Sequence, residues 1–204
     1  MEKSKIHDFI SSTLKNSNLE FEAKFQSDTH VLTQKDFIEV IRKIKSLGYK
    51  NESVNEMVLD IQFQEYRDIR VSIHGDGNIK KYCHTNSISD IKDSLEFIEK
   101  KRFKIGNKDS KPLDFRNYNT RINLKEETNL KPKNKAVLAI MQKFSTLDKY
   151  YRYKKRFSFI TDDKLFKIDL TIVKSSSQTE VVYPKKIINK EEVMDKMKKY
   201  VIKP

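Results

Sequence analysis

Cysteine occurs once, at Cys83, tryptophan is missing, and glycine and proline occur four times each in 204 residues. One cysteine excludes an intrachain disulfide and a zinc site built on cysteine, and it points to a reducing compartment. Cys83 also has no surroundings that would make a cysteine phosphatase loop. The four histidines, His7, His30, His74 and His84, show no metal-ligand spacing. A glycine-rich phosphate loop ending in Lys and Ser or Thr is absent, and His74-Gly75-Asp76-Gly77 is predicted as a hairpin turn. No apolar run approaches the roughly 20 residues that cross a bilayer, and the start, Met1-Glu2-Lys3-Ser4-Lys5, lacks a signal peptide's apolar segment. The expectation is a soluble, intracellular protein with no membrane partner. No linker, low-complexity tract or repeat divides the chain, so residues 1–204 are expected to form a single domain.

What is present is charge. Hydrophobic residues make up 37% and charged residues 35%, polar for a globular chain yet above the level at which folding fails. Lys and Arg number 42 against 29 Asp and Glu, a formal charge of +13. That excess favours an anionic partner, nucleic acid or polyphosphate. Lys-rich and Asn-rich chains from AT-rich genomes reach the same balance with no binding role.

Helical periodicity covers residues 5–15, 33–47 (Phe37, Ile38, Ile41 and Ile44 on one face) and 88–101 (Ile91, Leu95, Ile98), with Thr33 and Ser87 as candidate N-caps. Further helices are expected over 134–145 and 190–200. The rest alternates with period two. Leu19, Phe21, Ala23 and Phe25 oppose Glu20, Glu22 and Lys24; Leu59, Ile61 and Phe63 oppose Asp60 and Gln62; Ile69, Val71 and Ile73 oppose Arg70, Ser72 and His74. Ile122 and Leu124 oppose Arg121, Asn123, Lys125 and Glu127. Arg152, Lys154, Arg156 and Ser158 share one side of their strand, and Phe166, Ile168, Leu170 and Ile172 oppose Asp169 and Thr171. A flat sheet with one wet face accounts for such strands. The segregation of acids to the first strand and cations to later ones suits a closed barrel with its charged face inward and helices outside.

Glutamates two apart on a strand project the same way, close enough to share a hard divalent cation such as Mg²⁺ or Mn²⁺. Alternate cations at Arg152, Lys154 and Arg156 form a comb spaced about 6.5 to 7 Å, similar to successive phosphates of a triphosphate. The competing explanation is an edge strand guarded against aggregation by its cations. Phosphoanhydride hydrolysis needs mainly positioning and charge neutralisation. One further carboxylate to orient water is best supplied by Glu127.

These segments together, Leu19 to Phe25, Ile69 to Ile73 with Ile79 to Cys83, Tyr118 to Glu127 and Tyr151 to Lys174, resemble the triphosphate tunnel metalloenzymes. The match is to the RNA 5′-triphosphatase domains of mRNA capping enzymes from large DNA viruses, with fungal relatives. The resemblance implies an α+β fold built on a closed, antiparallel, eight-stranded barrel. It implies that Glu20, Glu22 and Asp169 serve the metal, Mg²⁺ or Mn²⁺, Asp169 through its waters or by orienting the cations. Lys24, Arg70, Arg121, Lys125, Arg152, Lys154 and Arg156 would line the triphosphate path, and Lys154 and Arg156, with Glu127 from the strand alternation, are the expected catalytic residues. The implied reaction removes the γ-phosphate from 5′-triphosphate RNA, the first step of mRNA capping, with nucleoside triphosphate hydrolysis as a side activity. Guanylyltransferase and methyltransferase domains are the implied partners, and a virion or cytoplasmic virus factory the implied setting if the source is viral.

The chain departs from that family in one respect. A second set of alternating glutamates is expected on a late strand, and after Lys174 only Glu180, Glu191 and Glu192 occur. The domain is therefore expected to lack its last strand or to carry a weakened metal site. Two other functions fit the same fold: hydrolysis of inorganic tripolyphosphate or a small triphosphate, and noncatalytic RNA binding. A basic apron, Lys185, Lys186, Lys196, Lys198 and Lys199, favours RNA over the small substrates.

Overall fold

The computed structural model describes residues 6–8, 10–11, 16, 18–25, 32–105 and 108–176, without the side chains of 50–55, 105 and 108. The helix expected over 190–200, the basic apron, and Glu180, Glu191 and Glu192 lie outside the described residues. Of the helix expected over 5–15, residues 6–8 and 10–11 are described and helical.

The strands are β1 (Leu19–Phe25), β2 (Lys50–Phe63), β3 (Ile69–His74), β4 (Leu95–Arg102), β5 (Lys104–Ile105), β6 (Lys108–Asp109), β7 (Leu113–Phe115), β8 (Thr120–Asn129), β9 (Lys149–Ile160) and β10 (Lys167–Ser175). Beyond the N-terminal helical residues, the helices among the described residues are α1 (Gln34–Ser46), α2 (Asp76–Thr85) and α3 (Lys135–Lys143). Every pairing described below is antiparallel, and with the helices this gives the expected α+β class. The chain divides into two compact units, Met1–Thr33 with Ile98–Asn129, and Gln34–Phe97 with Leu130–Pro204.

In the first unit β8 is the central strand. β1 lies along one edge in the register Leu19↔Glu126 to Phe25↔Thr120. The other edge takes β4, from Ile98↔Asn129 to Arg102↔Lys125, and the short β7. Because side chains alternate, the apolar set gathers on one face, where Leu19, Ile122 and Leu124 are buried against Ile6, Phe21, Phe103, Leu113 and Phe115. The opposite face is left to charge, with Glu20 across from Lys125, Glu22 from Asn123 and Lys24 from Arg121. Phe25, although on the apolar side of β1, is largely exposed.

The second unit orders its strands β3, β2, β9, β10. Leu59, Ile61 and Phe63 of β2, Ile69, Val71 and Ile73 of β3 and Tyr151 of β9 turn to one face. Against them pack Ile79, Tyr82 and Cys83 of α2 and Val137 and Ile140 of α3, with Phe97 of β4 and with Ile88, Ile91, Phe144 and Leu147 from the connections. Each fully buried aliphatic side chain contributes about 1.5 to 3 kcal/mol, so this is where most of the unit's stability resides. The α3 start is set by Asn134, whose side chain accepts from Ala136 N at 2.8 Å. Phe37 of α1 meets Phe157 edge-on at 5.7 Å.

Two local expectations are corrected. Residues 88–101 do not form one helix: Ser89–Ser94 make a 3₁₀ turn, opened by Ser87 Oγ accepting from Ser89 N, and the chain then extends as β4. Ile91, Leu95 and Ile98 fit helical spacing, but short apolar runs satisfy both periods. The strand instead lets Leu95 and Phe97 join one core, and Phe97 has no place on the helical stripe. His74-Gly75-Asp76-Gly77 is not a hairpin turn. Gly75, at φ +84°, lets the chain leave β3 and enter α2, with Ile79 N donating back to Gly75 O. Asp76 sits in the first helical turn and pairs with Lys80 at 2.7 Å. On β10, Phe166 falls just before the strand and is exposed, and Ile172 is exposed as well.

Candidate active site

The charged face of the first unit carries six of the expected residues: Glu20, Glu22 and Lys24 on β1, and Arg121, Lys125 and Glu127 on β8. Glu20 and Glu127 are brought together by a residue the sequence motifs did not single out, Lys100 of β4. It stands directly across from Glu127, and its ammonium donates to Glu127 Oε1 at 2.5 Å and also to Glu20 Oε2. Burial works against the charge of Lys100, but its hydrogen bonds to Glu127 and Glu20 prevail and raise its pKa. Lys125 lies the other way: burial first, then the neighbouring Lys100 and Lys24 charges, lower its pKa despite Glu22 and Glu20. Glu22 Oε2 is shielded from solvent and 3.1 Å from Lys24 Nζ, without an aligned hydrogen bond. Arg121 is turned to Asp114, held through Nε at 2.6 Å and Nη2 at 3.0 Å. That bidentate grip also keeps the Asp114 carboxyl below its ordinary range.

The remaining expected residues lie on one face of the second unit: Arg70 on β3, Arg152, Lys154 and Arg156 on β9, and Asp169 on β10. Their centre is Asp60 of β2, which is fully buried. Lys154 Nζ is 2.7 Å from Asp60 Oδ2, Ser72 Oγ donates to Oδ1 at 2.8 Å, and Arg70 Nε is 3.7 Å from Oδ1. The cross-strand register explains the convergence, since Asp60 lies between Ser72 and Arg152. Burial lowers the Lys154 pKa, opposed by Asp60 and reinforced by the charges of Arg70 and Arg156. Further along, Ser158 Oγ donates to Asp169 Oδ1 at 2.6 Å, and Asp169 also meets Arg156 at 3.6 Å and Lys167 at 3.8 Å. At such distances the guanidinium groups are paired electrostatically with their bonding capacity unspent. Arg70 Nε and Arg156 Nε are both buried without a hydrogen-bond acceptor among the described residues. Buried donors of this kind, on rigid strands, suit a phosphate oxygen.

At the end of the same face, His74 stands between Glu56 and Glu96, with Nδ1 at 3.3 Å and Nε2 at 3.1 Å. Neither glutamate was singled out by the motifs.

The donor set for a metal is carboxylate oxygen. Among the described residues no group of three or more His, Cys, Asp or Glu side chains is arranged to hold a metal ion. Glu20 and Glu127 do converge on one cation, the Lys100 ammonium. That suits an ion such as Mg²⁺, which takes one or two carboxylates and completes its shell with water and phosphate oxygens.

No family model and no curated protein matches the chain. Solved structures do. The RNA triphosphatase domain of a trifunctional mimivirus mRNA capping enzyme is 24% identical over 84% of this chain and 77% of that one, with a TM-score of 0.58. A monoclinic form of the mimivirus capping enzyme triphosphatase gives 23% identity, 85% and 79% coverage and 0.58. A triclinic form gives 23%, 84% and 77%, and 0.59. This likeness bears out, at the level of fold, the resemblance drawn from the sequence: the fold is that of a viral capping-enzyme RNA triphosphatase domain.

Proposed function

We propose that the protein is a metal-dependent RNA 5′-triphosphatase that removes the γ-phosphate from nascent mRNA. The observation that carries the proposal is the face of the second unit, where Arg70 and Lys154 meet the buried Asp60, Arg156 meets Asp169, and the buried Nε donors of Arg70 and Arg156 have no acceptor among the described residues. An anionic ligand with several oxygens satisfies them, and a triphosphate supplies such oxygens at the spacing of alternate strand residues. The likeness to a capping-enzyme domain favours the end of an RNA over a free polyphosphate. A closed eight-stranded tunnel is part of the same proposal.

In the reaction, a water oxygen attacks the γ-phosphorus, the bond to the β–γ bridging oxygen breaks, and phosphate leaves a diphosphate end on the RNA. Arg70, Arg152, Lys154 and Arg156 bind the phosphate oxygens and offset the charge that develops on them. Asp60 and Asp169 hold those cations in place. Glu127 orients the water and accepts its proton. Glu20 and Glu22 would hold Mg²⁺ or Mn²⁺, which when bound would supply neutralisation of phosphate charge. Lys24, Lys125 and Arg121 add positive charge on the first unit. Capping domains for guanylyl and methyl transfer are the partners that use the diphosphate product.

The test is phosphate release from RNA carrying a labelled γ-phosphate, with Mg²⁺ or Mn²⁺ against EDTA. Metal-dependent release of that phosphate alone is expected, and Glu20→Ala or Arg156→Ala should lower it by about 10² or more. Release unaffected by EDTA, or near-normal turnover in folded Glu20→Ala, overturns the metal assignment. Turnover of tripolyphosphate but not of RNA moves the substrate to the small anion.

A further inference from the structure

Glu20, proposed for the metal, and Glu127, proposed for the attacking water, already share a cation of the chain's own. Lys100 projects from β4 onto the charged face of the first unit, opposite Glu127 on β8, and its ammonium reaches past β8 to Glu20 on β1. Two of its three donors are used, one on each carboxylate. Its side chain keeps only 24% of its exposure, so the pair is screened less than a surface salt bridge.

Charge balance gives the arrangement its meaning. Glu20, Glu22 and Glu127 face Lys24, Lys100 and Lys125, three of each sign, with Arg121 taken by Asp114 and Arg102 exposed at the strand end. A divalent ion entering this neutral group meets carboxylates with no net charge to spare. Lys24 engages Glu22 only, and Lys125 stands opposite Glu20 on a crowded, partly buried site. Among the described residues, Lys100 alone engages both Glu20 and Glu127. Its flexible four-carbon stem lets the ammonium leave without moving the strand.

We propose that Lys100 is a built-in counter-cation that holds Glu20 and Glu127 together when no metal is bound and is displaced from them when a divalent ion binds. The inference rests on the metal-dependent reading above. It predicts that metal affinity is set below the value the carboxylates alone would give. It also predicts that the carboxylates do not repel one another apart in the absence of metal.

The experiment is Mn²⁺ binding to the full chain without substrate, followed by the paramagnetic resonance of free Mn²⁺, together with thermal unfolding in EDTA and in Mn²⁺. Lys100→Met is expected to bind Mn²⁺ about tenfold tighter or more, because one positive charge is removed from beside the ion. It should also melt lower than the unmodified protein in EDTA and regain more on adding Mn²⁺. Lys100→Arg, which keeps the charge, should stay within a few-fold of the unmodified affinity. Should Lys100→Met fail to fold, Lys100→Gln, which keeps a polar end, carries the same expectation. Equal or weaker binding in a folded neutral variant, with binding still abolished by Glu20→Gln, overturns the role of Lys100 and leaves the metal reading standing. Absence of Mn²⁺ binding in the unmodified protein and the neutral variant alike takes down both.

Discussion

Asp60 shows how much one side chain organises. It is fully buried on β2 and meets Lys154, Ser72 and Arg70, so its loss strands the buried Lys154 ammonium without a counter-charge. Removing one partner of a buried ion pair costs about 3 to 5 kcal/mol, and Asp60→Ala should lower unfolding free energy in urea by that order. Lys154→Met, which keeps the buried methylenes, should restore much of the loss in the double variant. A double variant no more stable than Asp60→Ala would show that the two act through different contacts. Tyr82 and Tyr151 make a second buried pair, their hydroxyls 3.0 Å apart. Burial raises both phenols, Tyr151 to about 12 against an ordinary 10. A phenol raised in the folded state contributes stability that is whole below pH 10 and lost as pH climbs from 10 through about 12. Alkaline unfolding should therefore coincide with phenolate absorbance in that window, and Tyr151→Phe should make the pH dependence shallower. Appearance, well before unfolding, of the part of the phenolate signal that Tyr151→Phe removes would contradict the burial.

At the scale of elements, β9 is where sequence and structure agree most closely. Arg152, Lys154 and Arg156 were placed on one side by period-two alternation, and the register puts them on the face of Asp60 and Asp169, opposite the Tyr151 core. The same holds for Glu20, Glu22 and Lys24 against β8, since alternation alone decides which side chains share a face. What alternation does not carry is the partner across the sheet. The place of Lys100 is not legible in the sequence because residues 88–101 carry apolar spacing common to helix and strand, and the role of Asp60 is not because only long-range pairing with β3 and β9 shows which cations it anchors. Gly75 looked like a turn because Asp-Gly pairs favour hairpins, whereas its positive φ serves a strand-to-helix bend. The β9 row makes a measurable commitment. If its cations neutralise phosphates, log affinity for 5′-triphosphate RNA should fall linearly with log salt, and Arg156→Ala should reduce the slope by about 0.7. An unchanged slope, with affinity lowered only by misfolding, would remove Arg156 from phosphate contact.

The molecule as a whole divides its stability unevenly. The second unit buries aromatic and aliphatic side chains from four strands and two helices in one continuous cluster, whereas the apolar cluster of the first holds, among the described residues, three buried side chains, Leu19, Ile122 and Leu124, supported by partly buried neighbours. Apolar burial is the main favourable term of folding, so the difference in core size is a difference in the free energy needed to open each unit. The charged face of the first unit adds little to offset this, because partly exposed ion pairs contribute about 1 kcal/mol or less each. Native-state hydrogen exchange should therefore find the amides of β2, β3 and the middle of β9 exchanging only with the largest opening free energies. Amides of β1 and β7 should exchange through smaller openings. The unit that is easier to open is the one that carries the proposed metal carboxylates, and Mn²⁺ should slow exchange there before it alters the second unit. Uniform protection across both units would mean that the small core is held by something other than its own apolar contacts. Protection gained first in β2 and β3 would place the ion away from Glu20 and Glu22.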